Sequence, residues 1–491
     1  MSLSFALTNA RSSLTATGVQ SSVVARNIAG AQEGGSSRKS AVLATIAGGG
    51  VYVASIQRAE DKALFANLIT ATSSSAKQNV VYNAVQELSS ATIDDTELDQ
   101  SPAAKLSALR TALDQYANAP YDVTLGQSLV TAAINMANAL NDATSTTQEL
   151  RQKADADMEE SVDKINSLLE KLESVNTAIV KGTVKGDDVT DYLDMRDSIL
   201  SDLSQQIGIT ASTRENNDIV VYTDSGVTLF ETSARSVTFD RTHAYDATIS
   251  GNAVYVDGVP VTGASAVMPI KSGNLAGLAE VRDEVAVTYQ SQLDEIARGL
   301  VEVFAESDQS VTPTLPDVPG LFTYAGAPAM PVTGVVNTGL AGTIRVNAAV
   351  DPDQGGDPKR IRDGAINGNP AYTYNTTGAD GFFTRLKALS QELSADMTFD
   401  ASTLASPNGT LIEYAGSSAS WLNARLASAH ADSTYQTTVV ERTAEALSNV
   451  NGINMDDEMV VMLQIERTFA ASSKVIASID SMLQSLLDAV R

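Results

Sequence analysis

The chain is 491 residues long and carries 33 basic against 59 acidic side chains, a net charge of −26, with no cysteine. That length leaves room for about three domains of ordinary size. So acidic a surface repels phosphate backbones and argues against a nucleic-acid partner, and the missing cysteines exclude disulfides and thiolate metal sites.

Hydrophobic content of 43% fits a globular protein and is too high for a wholly disordered one. No run of 18 apolar residues exists, so no membrane span is expected. Residues 1–18 lack a basic region followed by a compact apolar core, which predicts export without a cleaved signal peptide if the protein is extracellular. Aromatic residues make up only 5%, a balance suited to long helices packed through small side chains.

The N-terminal segment carries a ladder at alternating spacings of four and three: Leu3, Leu7, Ala10, Leu14, Thr17, Ser21, Val24 and Ile28. Gly18 and several hydroxyl residues weaken its intrinsic helicity, so this helix needs a partner. Glycines at 30–35 and 48–50 break the chain twice. Helical spacing returns over about 55–88, and again after Ser101-Pro102, where a proline in the first turn marks a start. Pro120 ends that helix. The longest helical run covers about 124–181, with Met158, Val162, Ile165, Leu169 and Leu172 at heptad spacing, and another helix is expected over 189–207.

At Ile219 the pattern changes to short β-rich runs, with Asp257-Gly258 as a hairpin signal among valines. Residues 278–304 read as helical once more. Residues 307–370 are rich in proline and glycine, with one strand expected at 342–346. Helices resume over 382–393 and 417–447, and Asn451-Gly452 turns the chain into its last helix. There a second ladder runs through Met462, Ile465, Phe469, Ser472, Ile476, Ile479, Leu483, Leu486 and Val490, with no glycine or proline inside it. Such a helix of about 30 residues spans roughly 45 Å, and its apolar seam must be covered. A private core would cover it, and so would neighbouring subunits.

Candidates for chemistry are sparse. The two histidines, His243 and His430, lie in segments of different character, which favours surface or capping roles over a catalytic or metal site. No phosphate loop with GK[ST] follows a strand. Asp351, Asp353 and Asp357 resemble the start of a calcium loop, yet the twelfth position is Arg362 where an EF-hand needs Glu. Asp456, Asp457 and Glu458 precede the last helix, where acids complement the helix dipole. No catalytic residue, cofactor or metal is expected.

Five landmarks occur in order. Asn27, Ile28, Ala29, Gly35 and Arg38 fit the pattern S-x-N-I-A-N-x-x-T-x-G-Y-x-R, with Ala25, Gly30, Glu33 and Ser36 departing from it. Gly50, Val51, Val53, Ile56, Arg58 and Asp61 fit G-V-x-V-x-x-I-x-R-x-x-D. Tyr192-Leu193-Asp194-Met195-Arg196-Asp197, followed by Leu200 and Leu203, fits L-L-D-x-R-D with paired leucines, and Ser272 to Leu278 with Arg282-Asp283 fits S-G-x-L-x-G-L-x-x-x-R-D. Gly452 to Glu458 fits G-V-N-L-D-E-E before the closing helix. In these residues the sequence resembles the flagellar hook-associated proteins of the hook–filament junction. The resemblance covers most of the helical part and little of the β-rich and Pro/Gly-rich segments, and the chain is short for the family.

The resemblance implies a structural, non-enzymatic axial protein outside the cell. It would be exported unfolded by the flagellar type III apparatus, and its terminal helices would become ordered as a coiled-coil inner tube on assembly. Partners implied are other copies in a ring at the hook tip, the hook protein, a second junction protein on the filament side and an export chaperone. Leu3, Leu7, Leu14, Val24 and Ile28, with Met462, Ile465, Phe469, Ile476, Ile479, Leu483, Leu486 and Val490, form the expected self-assembly interface. Asn27, Asp194, Arg196, Asp197, Arg282 and Asp283 are expected structural residues, with Arg196–Asp197 and Arg282–Asp283 as ion pairs.

The expected fold is mainly α with a small inserted all-β domain. Residues 1–50 and 456–491 would form a terminal coiled-coil assembly domain, 51–208 and 278–455 a helical rod built from both halves of the chain, and 209–277 the insertion. Flagellin or the second junction protein is the nearest alternative. A secreted coiled-coil adhesin or translocator is the alternative from another class.

Overall fold

The computed structural model describes residues 3–32, 35–46, 49–93 and 100–490, without the Val490 side chain. Glu33, Gly48 and the Val490 side chain, all used in the sequence reading, lie outside the described residues. The chain opens with α1 (Leu3–Gly30), an antiparallel hairpin of β1 (Lys39–Thr45) and β2 (Val51–Arg58), then α2 (Lys62–Thr92), α3 (Pro102–Asn118), α4 (Val123–Lys185) and α5 (Thr190–Gln206). Next come two three-stranded antiparallel sheets. One holds β3 (Ile209–Thr213), β4 (Ile219–Thr223) and β5 (Thr228–Phe230); the other holds β6 (Val237–Thr238), β7 (Tyr255–Val256) and β8 (Val259–Pro260).

The chain continues through α6 (Asn274–Glu280), a π turn (Val281–Val285) and α7 (Ala286–Val303). Two short strands, β9 (Phe322–Thr323) and β10 (Arg345–Val346), pair with each other before α8 (Lys359–Asp363) and α9 (Thr384–Glu392). After the paired β11 (Met397–Thr398) and β12 (Asn408–Gly409), α10 (Leu411–Asn451) and α11 (Met455–Val490) close the chain. The fold is mainly α with small antiparallel sheets, and no described helix is long and apolar enough to cross a membrane.

The 63-residue α4 spans about 95 Å at 1.5 Å per residue. Asp122 caps its start, accepting from the Thr124 amide at 2.8 Å, which meets one of the donors a helix N-terminus leaves free. Its heptad residues Met158, Val162, Ile165, Leu169 and Leu172 are all buried, on a face that packs against α5 and the β-rich stretch. The earlier half of α4 packs on α3, α6 and α7. The returning α10 starts with a capping box, Thr410 with Glu413, and lies along α2.

Two landmarks take their residue types from close backbone approach. A Cβ at Gly273, whose φ is +89°, would meet the Ile207 backbone at 2.6 Å, and one at Gly277 would meet the Lys77 carbonyl oxygen at 2.8 Å. Only glycine lets α6 seat against α2 and the end of α5 in this way. The Asp257-Gly258 signal closes the β7–β8 hairpin as expected, both residues at positive φ (50° and 79°).

The structure departs from the expected elements in one consequential place. Residues 55–58, expected to open a helix, instead belong to β2, which pairs with β1, and α2 begins only at Lys62, capped by Asp61. Alternation of Val51, Val53 and Ile56 is a period-two signal, interrupted by an irregularity where Val42 pairs with Ser55 and Leu43 with Val53. The strand expected at 342–346 is confined to Arg345–Val346. The Pro/Gly-rich segment around it is anchored by Leu321, Phe322, Leu340, Ile344, Ile361 and Ile366, all buried in the common core.

Candidate functional site

The two terminal helices meet. α1 and α11 run antiparallel: Ser21 Oγ lies 3.7 Å from Met462 Sδ, and Ser13 Oγ lies 3.0 Å from Ser472 Oγ, so one number rises as the other falls. Ile465 and Ile479 are buried at 7% and 5% exposure, while Met462 and Ile476 are half-buried on the same face. On α1, Val24 is buried, Leu3, Leu14 and Ile28 are half-buried, and Leu7 is more exposed. Not all of the ladder is covered. Phe469 is 48% and Leu486 55% exposed, Leu483 is also exposed, and Met459, Val460 and Leu463 lie open near the start of α11. The structure therefore brings the two ladders together as far as Ile479 and leaves several apolar positions of α11 facing outward.

A polar cluster ties this helix pair to the rest of the chain. Asn27, 1% exposed, pairs with the Lys39 backbone in both directions: Nδ2 donates to its carbonyl at 2.8 Å, and Oδ1 accepts from its amide at 3.0 Å. Asn27 Nδ2 also donates to Glu458 Oε2 at 3.0 Å, while Arg38 Nε donates to Glu458 Oε1 at 2.7 Å. On the other side, Asp194 of α5 accepts from Lys39 Nζ at 2.7 Å, from Ser37 Oγ at 2.6 Å and from Arg58 Nη1 at 3.1 Å. Arg26 of α1 reaches Asp188 at 2.8 Å and Asp191 at 3.3 Å. Every charge here is met by an opposite charge or a hydrogen bond, the condition under which burying ions is tolerable.

The titration behaviour follows from this packing. Burial pulls the Arg58 guanidinium down, but the charge and hydrogen bond of Asp197, then those of Asp194, more than reverse it, so its pKa is raised. Burial pushes the Asp197 carboxyl up, offset only in part by Arg58. For Asp188, the hydrogen bonds from Thr190 and Arg26 overcome burial and hold the carboxyl below its usual range.

Of the two expected Arg–Asp pairs, one forms. Arg282, fully buried on the π turn, holds Asp283 at 2.8 Å and a second carboxylate, Asp155 of α4. Asp155 also accepts from the Thr242 amide at 2.6 Å and from Tyr245 Oη at 2.9 Å. Burial alone would lower the Arg282 pKa; hydrogen bonds to Asp283 and Asp155 reverse that and raise it. The π turn places this side chain against Asp155 of α4. At the other landmark Asp197 turns to Arg58 at 2.7 Å. Arg196 instead donates to the Asn217 carbonyl at 2.5 Å, and burial lowers its pKa. Adjacent positions on a helix point about 100° apart, so each residue finds a different neighbour.

Sequence reasoning missed Glu458 and Asp155. Glu458 was grouped with Asp456 and Asp457 as dipole-complementing acids. Asp456 and Asp457 are exposed, but Glu458 is 2% exposed and held by Arg38 and Asn27. Its signal is its spacing: Glu458, Ile465, Ser472 and Ile479 lie seven apart and so share one helix face. Asp155 likewise precedes Met158 and Val162 on the buried face of α4. Among the described residues, no group of three or more His, Asp or Glu is placed to hold a metal. His243 is exposed, and His430 lies against Tyr82 with ring centroids 5.1 Å apart. The Asp351 carboxylate is occupied by its own turn, accepting from the Asp353 amide at 3.0 Å and from Gln354 at 2.7 Å.

The structure thus has a terminal helix pair tied to a long helical rod by charged residues. Residues 92–310 match the flagellar hook-associated protein FlgK helical domain, and residues 446–489 match the flagellar basal body rod FlgEFG protein C-terminal domain. Among curated relatives, flagellar hook-associated protein 1 of Escherichia coli (strain K12) is 23% identical over 363 residues, covering 71% of this chain and 64% of that protein. The same-named protein of Salmonella typhimurium (strain LT2) is 22% identical over 313 residues, covering 62% of this chain and 56% of that protein. A solved structure of the flagellar hook junction protein FlgK from Burkholderia pseudomallei aligns at 22% identity with a TM-score of 0.40, covering 52% of this chain and 46% of that one. The chain thus spans 64% and 56% of the length of these two relatives. The resemblance to flagellar hook-associated protein 1, read first from the five landmarks, is borne out by the two domain matches and the curated relatives.

Proposed function

We propose that this chain is a structural axial protein of the bacterial flagellum that joins hook to filament. The observation that carries the reading is the pairing of the two ends of the chain, α1 with α11, on the body that matches the hook-associated helical domain. The apolar positions left outward on α11 are those that other copies would cover in a ring at the hook tip. On this reading the protein is extracellular, exported by the flagellar route, and not an enzyme. Its partners are the hook protein, the second junction protein and an export chaperone. Residues 1–50 with 456–491 act as the assembly unit, 51–208 with 278–455 as the rod, and 209–277 as an insertion leaning on it. Leu3, Leu7, Leu14, Val24, Ile28, Met462, Ile465, Phe469, Ile476, Ile479, Leu483, Leu486 and Val490 serve self-assembly.

Cryo-tomography of cells carrying a gold-tagged protein tests the assignment. A single ring of label at the hook tip is expected. Label along a whole filament would favour flagellin, and label on the cell surface would favour an adhesin; either would overturn the proposal.

A further inference from the structure

Six arginines are buried among the described residues. Arg282, Arg298, Arg362 and Arg385 each meet a carboxylate, and Arg151 spends its donors on four oxygen atoms. Arg196 of α5 is the exception. Of the five N–H donors a guanidinium carries, only Nη1 finds an acceptor, the Asn217 carbonyl, and Nε is buried with none. Among the described residues no carboxylate touches it. A cation buried so bare is costly, and an unmet buried donor calls for a partner.

Arg196 lines a cavity of about 350 Å³ between α2, α5 and β3, and this cavity touches every residue of β3 from Ile209 to Thr213. Neighbouring strand residues point to opposite faces, so a cavity that meets them all lies along the strand's edge. That edge is free, since β3 is the outer strand of its sheet and pairs only with β4. The Asp224 amide donates to the Gly208 carbonyl and the Arg214 amide to that of Asp218. Ladder bonds therefore fall on the even-numbered residues of β3, and the amides of Ile209, Ala211 and Thr213 point outward. Asn217 lies in the turn after β3, which fixes the Arg196 guanidinium at the Thr213 end of the edge. The carboxylates in the cavity wall are engaged elsewhere. Asp197 and Glu60 hold Arg58 at 2.7 and 3.2 Å, and Asp61 accepts from the Ala63 and Leu64 amides at 3.0 Å.

We propose that this cavity is a binding site for a small oxyanion, a phosphate or a carboxylate, held between the Arg196 guanidinium and the outward amide of Thr213. The guanidinium offers a planar fork that matches two oxygen atoms, and a free sheet edge adds a neutral N–H donor to it. The net charge of −26 works against anions in general, so geometry rather than field selects the ligand, and affinity falls as salt is added. The site belongs to the rod, and its failure would leave the proposed place at the hook tip untouched.

Residue-resolved amide hydrogen exchange on the full chain tests it, comparing inorganic phosphate, acetate and chloride at equal ionic strength. Phosphate, acetate or both should slow exchange of the Thr213 amide saturably, by about tenfold at ten times the dissociation constant. Ile209, at the far end of the edge, should change little, and chloride should have no such effect. Arg196→Gln should abolish the slowing. Ala66→Trp, at an exposed wall position of α2, fills the cavity without touching the guanidinium and should abolish it too. This second variant keeps the test open should Arg196→Gln fail to fold. No saturable slowing in the wild type, equal slowing by chloride, or slowing retained in a folded variant would overturn the proposal.

Discussion

Asn27 and Lys39 are joined by a reciprocal pair of hydrogen bonds, at 2.8 and 3.0 Å, in which one side-chain amide satisfies both backbone groups of one residue. The geometry imitates a rung of β-ladder between a helix and an extended segment, and it completes the pairing of β1 at the strand's first residue. Asn27→Ala would leave a buried amide and a buried carbonyl without partners and remove one bond to Glu458. At about 1–3 kcal/mol per unsatisfied buried group, the local unit should lose most of its stability. Hydrogen exchange at residues 37–41 should rise sharply while far-ultraviolet dichroism of the rod is retained.

The seam and the outward face of α11 should respond differently to truncation. Ile479→Ala removes a buried side chain and should destabilise the helix pair by about 2–4 kcal/mol, seen as loss of protection in both α1 and α11. Leu486→Ala removes an exposed side chain and should leave the isolated chain within about 0.5 kcal/mol of wild type. If copies pack over that face, Leu486→Ala nevertheless lowers assembly, measured by sedimentation of polymerised material.

Deleting residues 459–491 takes away all of the α11 seam but leaves Glu458 and the rod. The remaining chain should stay folded and soluble, with a denaturation midpoint close to that of the full chain, because α11 adds little to the common core. Complementation of a strain lacking the protein should fail to restore motility. A truncated chain that still supports a filament would refute the assembly role.

Within the rod, Asp155→Ala would remove a carboxylate that holds Arg282, the Thr242 amide and the Tyr245 hydroxyl. Breaking a buried pair from one side costs about 3–5 kcal/mol, eased here because Asp283 still holds the guanidinium. Urea denaturation should show the loss, and exchange should rise first in the loop at residues 240–252 that this cluster pins.

Asp294 gives a pH dependence of defined sign. Burial among α7, α4 and the loop at 339–341 pushes its carboxyl up to about 6, although the Ala341 and Gly339 amides favour the charged form. In the unfolded chain the value is about 3.9. Between these values the folded state binds more protons, so stability falls as pH rises from about 4 to about 6. The difference in urea midpoint between Asp294→Asn and wild type should shift in the variant's favour across that window and be flat above it.

Much of the fold is legible in the residues because helices announce themselves by period. The heptad positions of α4 and the paired ladders of α1 and α11 need only spacing to be found, and Asp257-Gly258 needs only its backbone preference. The β1–β2 hairpin was missed because an irregularity interrupts its alternation and a helical pattern begins directly after it at Lys62. The candidate site was legible in its apolar half and largely hidden in its polar half. Asn27, Asp194 and Arg282 could be marked by motif. Nothing in the spacing says that Asp194 serves Ser37, Lys39 and Arg58, or that Asp197 turns away from Arg196.

The sequence by itself determined most of the helical segments and that two apolar seams lie near the two ends. These are local properties, set by side-chain period and residue type. The tertiary structure decided which charges meet. Glu458 is 420 residues from Arg38, and Asp155 is 127 from Arg282. Pairing over such distances depends on where α5, α11 and the π turn come to rest. Long-range electrostatic partners are chosen by the packing of helices rather than by the chain around each charge.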